Sequence, residues 1–120
     1  IAGVLVMESS ILLLDEPTSG LDPYMTKQMK EIINKISSSK TIIISSHDMD
    51  LIYDICDYIY ILSKGSIIDE GEKQKVFSED KLLNEASLTK PWLVRIHEKF
   101  NTILFKNEEE FLSYEERKIL

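Results

Sequence analysis

The chain is 120 residues long, with 43% hydrophobic and 29% charged residues, a composition that admits one domain with a modest core and excludes an intrinsically disordered chain. Acids outnumber bases 21 to 14 for a formal net charge of −7, so the chain lacks the basic footprint of a sequence-independent nucleic-acid binder, and no nucleic-acid partner is expected. The single cysteine, Cys56, excludes an internal disulfide and a cysteine-based structural zinc site and fits a reducing compartment, and no apolar run approaches the ~20 residues needed to cross a bilayer.

The start, Ile1-Ala2-Gly3-Val4, does not read as a secretory leader and is expected to be part of a longer chain. Val4–Met7, closed by the polar Glu8-Ser9-Ser10, reads as the last turns of a helix that begins upstream. Ile11-Leu12-Leu13-Leu14 followed by Asp15 predicts a short strand buried on both faces of a parallel sheet. Pro17 and Gly20 follow at once and limit any helical alternative. Asp22-Pro23 is a strong helix start, since Asp is a good N-cap and proline at the first helical position lacks only an N–H that would be orphaned there. Met25, Met29, Ile32, Ile33 and Ile36 then recur at helical spacing, which places both methionines in the core and makes a soft-metal site the weaker reading.

Ser37-Ser38-Ser39-Lys40 breaks the helix, and the β-branched Thr41-Ile42-Ile43-Ile44 predicts a second buried strand ending at Ser45-Ser46-His47-Asp48. A second helix carries Leu51, Ile52, Ile55 and Cys56 on one face, with Cys56 expected as a buried small hydrophobe. Tyr58–Leu62 reads as a third strand, Lys64-Gly65 as a turn and Ser66–Asp69 as a short fourth strand. Tyr53, Tyr58 and Tyr60 stand among acids, which argues against a stacking platform for single strands. This alternation predicts an α/β fold, a layered and mostly parallel sheet with flanking helices, over residues 1–72. Residues 73–120 read as a short helical extension, with helices over 73–86, 91–100 and 107–118. In it Trp92 beside Pro91 is expected to pack, His97 to be structural or solvated, and Glu108-Glu109-Glu110 to form a solvated face or to favour a helix start electrostatically.

Ligands of open α/β sheets gather at the carboxyl ends of the strands. Two such ends carry polar clusters, Asp15-Glu16 and Ser45-Ser46-His47-Asp48. Taken singly, each has a plain reading: Asp15-Glu16 as a solvated strand end, and His47 as a helix N-terminal residue. Adjacent strands would bring Asp15, Glu16 and His47 to one rim, where one carboxylate can hold Mg²⁺, a second can orient or deprotonate a water, and an imidazole can reach a phosphate.

These residues carry a family resemblance. Ile11–Pro17 resembles the Walker B motif of ATP-binding-cassette (ABC) ATPases, Thr18-Ser19-Gly20-Leu21-Asp22-Pro23 resembles the D-loop that follows it there, and Ser45-Ser46-His47-Asp48 resembles the switch-histidine loop. Residues 73–100 follow the pattern of the carboxyl-terminal part of such domains, and Ala86-Ser87-Leu88-Thr89-Lys90-Pro91 is similar to the energy-coupling-factor and cobalt/nickel subgroup. The resemblance implies the carboxyl-terminal part of a P-loop NTPase domain that uses ATP and Mg²⁺. Asp15 would hold the metal shell, Glu16 would act on the attacking water, and His47 would contact the γ-phosphate. Ser19, Gly20, Leu21 and Asp22 would lie at the nucleotide interface with an opposing subunit, and Pro17 would end the strand. Residues 1–8 would close the helix that follows the family's signature sequence. A second ABC ATPase subunit, identical or paralogous, and integral membrane transport subunits are the implied partners, with the cytoplasmic face of the cell membrane as the location.

No G-x-x-x-x-G-K-[ST] phosphate loop occurs in these 120 residues, nor do the family's glutamine loop and Ser-Gly-Gly signature. The expectation is therefore a subunit that hydrolyses ATP to drive transport in its intact form, with the separate piece inactive. Two alternatives remain at this stage. One is an ABC-superfamily ATPase acting on DNA, for which the usual long coiled coil is not visible; the other is a truncated, non-catalytic interaction module.

Overall fold

The computed structural model describes residues 9–114. The helix end expected over residues 1–8 lies outside them, as does the last part of the helix expected to run to residue 118. The chain divides into two compact units, residues 1–47 and 48–120.

In the first unit, β1 (Ile11–Asp15) and β2 (Thr41–Ser45) form a parallel pair, joined by helix α1 (Pro23–Ile36). The register sets Ile11 beside Thr41 and runs to Asp15 beside Ser45. Main-chain bonds extend this ladder at both ends, from Thr41 N–H to Ser10 O (2.9 Å) and from Glu16 N–H to Ser45 O (2.7 Å). α1 starts as its sequence dictates. Asp22 is the N-cap, its Oδ1 accepting from Met25 N–H at 2.7 Å, and Pro23 occupies the first turn. It ends in a serine turn, where the hydroxyls of Ser37, Ser38 and Ser39 donate to the carbonyls of Asn34, Lys35 and Ile36, groups that the helix itself leaves unpaired.

The strands are not buried on both faces as expected. Leu12 and Ile33 are buried, whereas Ile11, Leu13 and Ile43 are more than half exposed. Strand side chains alternate between faces, and one helix beside two strands supplies apolar cover for one face only. The α1 stripe is narrower than its sequence suggests. Met29, Ile33 and Ile36 face inward, Ile32 is turned about 100° from Ile33 and is exposed, and Met25, expected in the core, is also exposed in the first turn.

The second unit contains α2 (Met49–Ile55), the antiparallel strands β3 (Tyr58–Ser63) and β4 (Ser66–Glu72), and the helices α3 (Lys73–Val76), α4 (Asp80–Glu85), α5 (Trp92–Phe100) and α6 (Glu108–Ser113). Among the described residues the third strand pairs with β4 and runs antiparallel to it. Lys64 (φ 50°) and Gly65 (φ 78°) form a tight left-handed turn, and so short a link joins only antiparallel neighbours. Among the described residues the strands make one parallel and one antiparallel pair, a mixed α/β arrangement.

Leu51, Tyr53, Ile61, Val76, Phe77, Leu83, Leu93, Val94 and Phe105 form the core of this unit. The buried Lys73 ammonium donates to Tyr53 O (2.6 Å) and to Lys106 O, and lies over the Tyr53 ring. Tyr53 Oη in turn donates to Phe105 O at 2.5 Å. Lys90 bridges Asp80 and Glu98 at 2.7 and 2.6 Å. Trp92 packs as expected, with its ring edge-on to Phe111 at 5.2 Å, and His97 has a structural partner in Thr102 O at 2.6 Å. Cys56 caps α2 and is only partly covered.

Burial, reinforced by Asp57, pushes the Cys56 thiol up from 9.0 to about 11. A proton held more tightly by the folded state contributes stability that is complete below pH 9 and lost as the pH rises through about 11. Denaturant unfolding of the chain across this alkaline window is expected to show a steeper loss of stability than unfolding of Cys56→Ala, by an amount of order 1–2 kcal/mol. Equal slopes would remove the thiol from the account.

Candidate functional site

The carboxyl ends of β1 and β2 build the site. Register sets Asp15 directly beside Ser45, and the Ser45 hydroxyl donates to Asp15 Oδ1. At the next residue the backbone turns into the left-handed region, with Glu16 at φ 46°, a conformation that L-residues adopt at a steric cost. Its N–H stays on the ladder to Ser45 O. The strand therefore ends, and the Glu16 side chain is delivered to the loop that leaves β2.

There the Glu16 carboxylate is gripped by three donors. Oε1 accepts from His47 N–H at 3.0 Å and lies 2.8 Å from His47 Nδ1, while Oε2 accepts from the Ser46 hydroxyl at 3.2 Å. The His47 ring bond is the largest influence on Glu16 and holds its carboxyl below the usual carboxylate range; partial desolvation opposes this, and the His47 N–H and Ser46 hydroxyl add to the lowering. With Nδ1 carrying the hydrogen toward Glu16, His47 retains Nε2 for a ligand, and its side chain is 84% exposed.

The structure thus brings Glu16 and His47 into direct contact and sets Asp15 next to them on the same rim. Residues 16–21 continue as a pair of turns, Ser19 N–H to Glu16 O (3.1 Å) and Leu21 N–H to Thr18 O (3.2 Å). Ser19 and Gly20 are exposed, and Gly20 (φ 76°) has open space around it. Asp22 spends one carboxylate oxygen on the α1 cap. Ser19, Gly20 and Asp22 are exposed and Leu21 is half-buried, on the loop that leads from Glu16 to α1. Asp48 caps α2 through Leu51 N–H at 3.2 Å.

Among the described residues no group of three or more His, Cys, Asp or Glu side chains gathers around a point that could hold a metal ion. Asp15 is an exposed hard-oxygen donor at a strand end, which suits Mg²⁺, an ion commonly held by one or two carboxylates together with substrate phosphates. The serines are what sequence reasoning missed. Ser45 and Ser46 stood in the recognised cluster, but only His47 was given a role. The available signal was the strand register, which sets residue 45 beside residue 15 and leaves residues 16 and 46 as the first beyond the paired strands.

No family model matches the chain. It is 50% identical over 115 residues to a putative ABC transporter ATP-binding protein of Listeria monocytogenes, covering 95% of this chain and 43% of that relative. It is 47% identical over 112 residues to the cobalt import ATP-binding protein CbiO of Salmonella typhimurium, covering 92% and 41%. It is 39% identical over 101 residues to the energy-coupling factor transporter ATP-binding protein EcfA of Carboxydothermus hydrogenoformans, covering 83% and 37%. The chain therefore spans less than half the length of each of these relatives.

The geometry makes one prediction free of any assay of function. In His47→Ala the ring donor is lost and the two weaker ones remain, so the Glu16 carboxyl should titrate at a higher pH than in the parent. Carbon-detected NMR titration of the Glu16 side chain reads this directly, and an unmoved midpoint would contradict the assigned contact.

Proposed function

The chain belongs by homology with the ABC transporter ATP-binding proteins, and we propose that it supplies the water-activating part of an ATPase subunit that drives transport across a membrane. The observation that carries the reading is the Glu16–His47 contact at 2.8 Å on the rim that also bears Asp15. Transport in the names of the relatives favours this reading over action on DNA or a purely docking role. CbiO and EcfA among the relatives support the energy-coupling-factor and cobalt/nickel branch.

In this reading Glu16, ionised and aimed by its donors, accepts a proton from the water that attacks the γ-phosphate of ATP. His47 keeps its ring oriented through Nδ1 and offers Nε2 to the phosphate. Bound Mg²⁺ would neutralise phosphate charge, with Asp15 as its carboxylate. Ser19, Gly20, Leu21 and Asp22 form the loop that meets the nucleotide site of a second ATPase subunit. The phosphate cradle comes from sequence outside these residues, because no glycine-rich lysine loop lies among them. Further strands of the same subunit would cover Ile11, Leu13 and Ile43 and complete a layered, mostly parallel sheet, of which residues 1–72 are a part and residues 73–120 a helical extension. Integral membrane subunits on the other side of the coupling would place the assembly at the cytoplasmic face of a cell membrane. No helix among the described residues is long and apolar enough to cross a membrane.

In the complete polypeptide, Glu16→Gln should lower ATP turnover by about 10²-fold or more while leaving nucleotide binding intact. Turnover at the parent rate would remove Glu16 from its role. The 120-residue chain alone should bind ATP weakly or not at all by calorimetry, and tight Mg²⁺-dependent binding would overturn the assignment of the phosphate cradle to sequence outside it.

A further inference from the structure

The three donors on Glu16 are of two kinds. His47 Nδ1 belongs to a side chain that is 84% exposed and can rotate about its own bonds. The His47 main-chain N–H cannot leave without moving the loop, and the half-buried Ser46 hydroxyl sits on a short side chain directly after β2. These two donors bind opposite oxygens, the N–H on Oε1 and the hydroxyl on Oε2. Two bonds to different oxygens fix the plane of a carboxylate, whereas a single bond leaves it free to rotate.

We propose that Ser46 is a positioning residue: with the His47 main-chain N–H it holds the Glu16 carboxylate in its working orientation while the His47 imidazole is free to turn to a phosphate. The inference rests on the reading of Glu16 as the group that acts on water. It resolves a conflict within that reading, because an imidazole cannot be both the main support of Glu16 and a ligand of the phosphate unless something else keeps Glu16 in place. The backbone agrees with this role. Glu16 adopts its left-handed conformation at the one point where its carboxylate meets residues 46 and 47, so the turn is shaped to make this contact.

The test compares Ser46→Ala, Ser46→Thr and Glu16→Gln in the complete ATPase. Ser46→Ala should lower kcat for ATP about tenfold, the scale of one lost hydrogen bond at a reacting group, with KM within about twofold of the parent and the thermal unfolding midpoint unchanged. Ser46→Thr keeps a hydroxyl on the same carbon and should restore most of the rate. In Ser46→Ala the His47 amide should also exchange with solvent faster, as the carboxylate that accepts its hydrogen gains freedom. Unchanged kcat in Ser46→Ala, with Glu16→Gln inactive, overturns the positioning role and leaves the functional reading standing. Loss of rate that threonine does not restore, or that comes with a lower unfolding midpoint, also overturns it by showing a packing role. Normal turnover in Glu16→Gln removes the reading on which the inference depends.

Discussion

The parallel register of β1 on β2 is the constraint on which the site depends. Because side chains alternate along a strand, a slip of one residue would send every partner to the opposite face. With Ile11 beside Thr41, the ends of the strands fall together, and Asp15, Glu16, Ser45, Ser46 and His47 arrive at one rim. Nothing local fixes this pairing, since parallel strands cannot be joined by a tight turn. It is α1 that sets it. The Asp22-Pro23 cap starts the helix close to the end of β1, and the serine turn stops it just before Thr41. The unpaired ends of the helix are thus satisfied by short side chains of the very residues that steer the crossover.

At the rim, a local cost is matched by local support. A left-handed glutamate is unfavourable, but its N–H remains on the strand ladder and its carboxylate collects charge-assisted bonds from Ser46 and His47. The same bonds lower the carboxyl's pKa and so favour its ionised form. The second unit solves a different problem by similar means. Among the described residues its tail has only short helices, and it is held by polar ties between side chain and backbone: the Lys73 ammonium to Lys106 O, Tyr53 Oη to Phe105 O, and Glu108 N–H to Asp54 Oδ1 at 2.8 Å. Around these ties Phe105 meets Phe111 and Tyr114 edge-on, at 5.3 and 5.2 Å. Burial drives the Lys73 ammonium toward deprotonation, Asp57 and Asp54 oppose this, and the carbonyl acceptors satisfy its hydrogens.

Much of this was legible in the sequence because it is written in short-range chemistry. Asp22-Pro23 dictates a helix start whatever surrounds it, the β-branched Thr41–Ile44 dictates a strand, and Lys64-Gly65 dictates a left-handed turn. What could not be read depends on partners distant in the chain. A run such as Ile11–Leu14 is the same string whether one face or two is covered, so the exposure of Leu13 is not encoded locally. The pairing of β3 is similar: its pattern calls for a strand, and only the shortness of the following turn commits it to β4. For the candidate site, residue types pointed to Asp15, Glu16 and His47, of which the structure brings Glu16 and His47 into contact. The contacts of Ser45 and Ser46 were not legible, because they follow from register and serine has too many ordinary uses to signal anything by itself.

In the proposed reading, the division between the ring donor and the two donors that follow β2 explains how an acid and an imidazole could share one contact and still do separate work. If His47 alone held Glu16, turning the ring to a phosphate would release the base at the moment it is needed. If the backbone alone held it, the ring would be free but the carboxylate plane would rotate about one bond. A main-chain N–H and a serine hydroxyl on opposite oxygens remove both difficulties with groups that add no charge to the rim. They also belong to the two residues that follow β2, so the register that aligns the strands aligns the support as well. Orientation of the base is then a property of the βαβ unit itself and does not wait for a nucleotide. In the proposed reading, a phosphate cradle and an opposing subunit would have only to deliver a water and a phosphate to a carboxylate that is already in place.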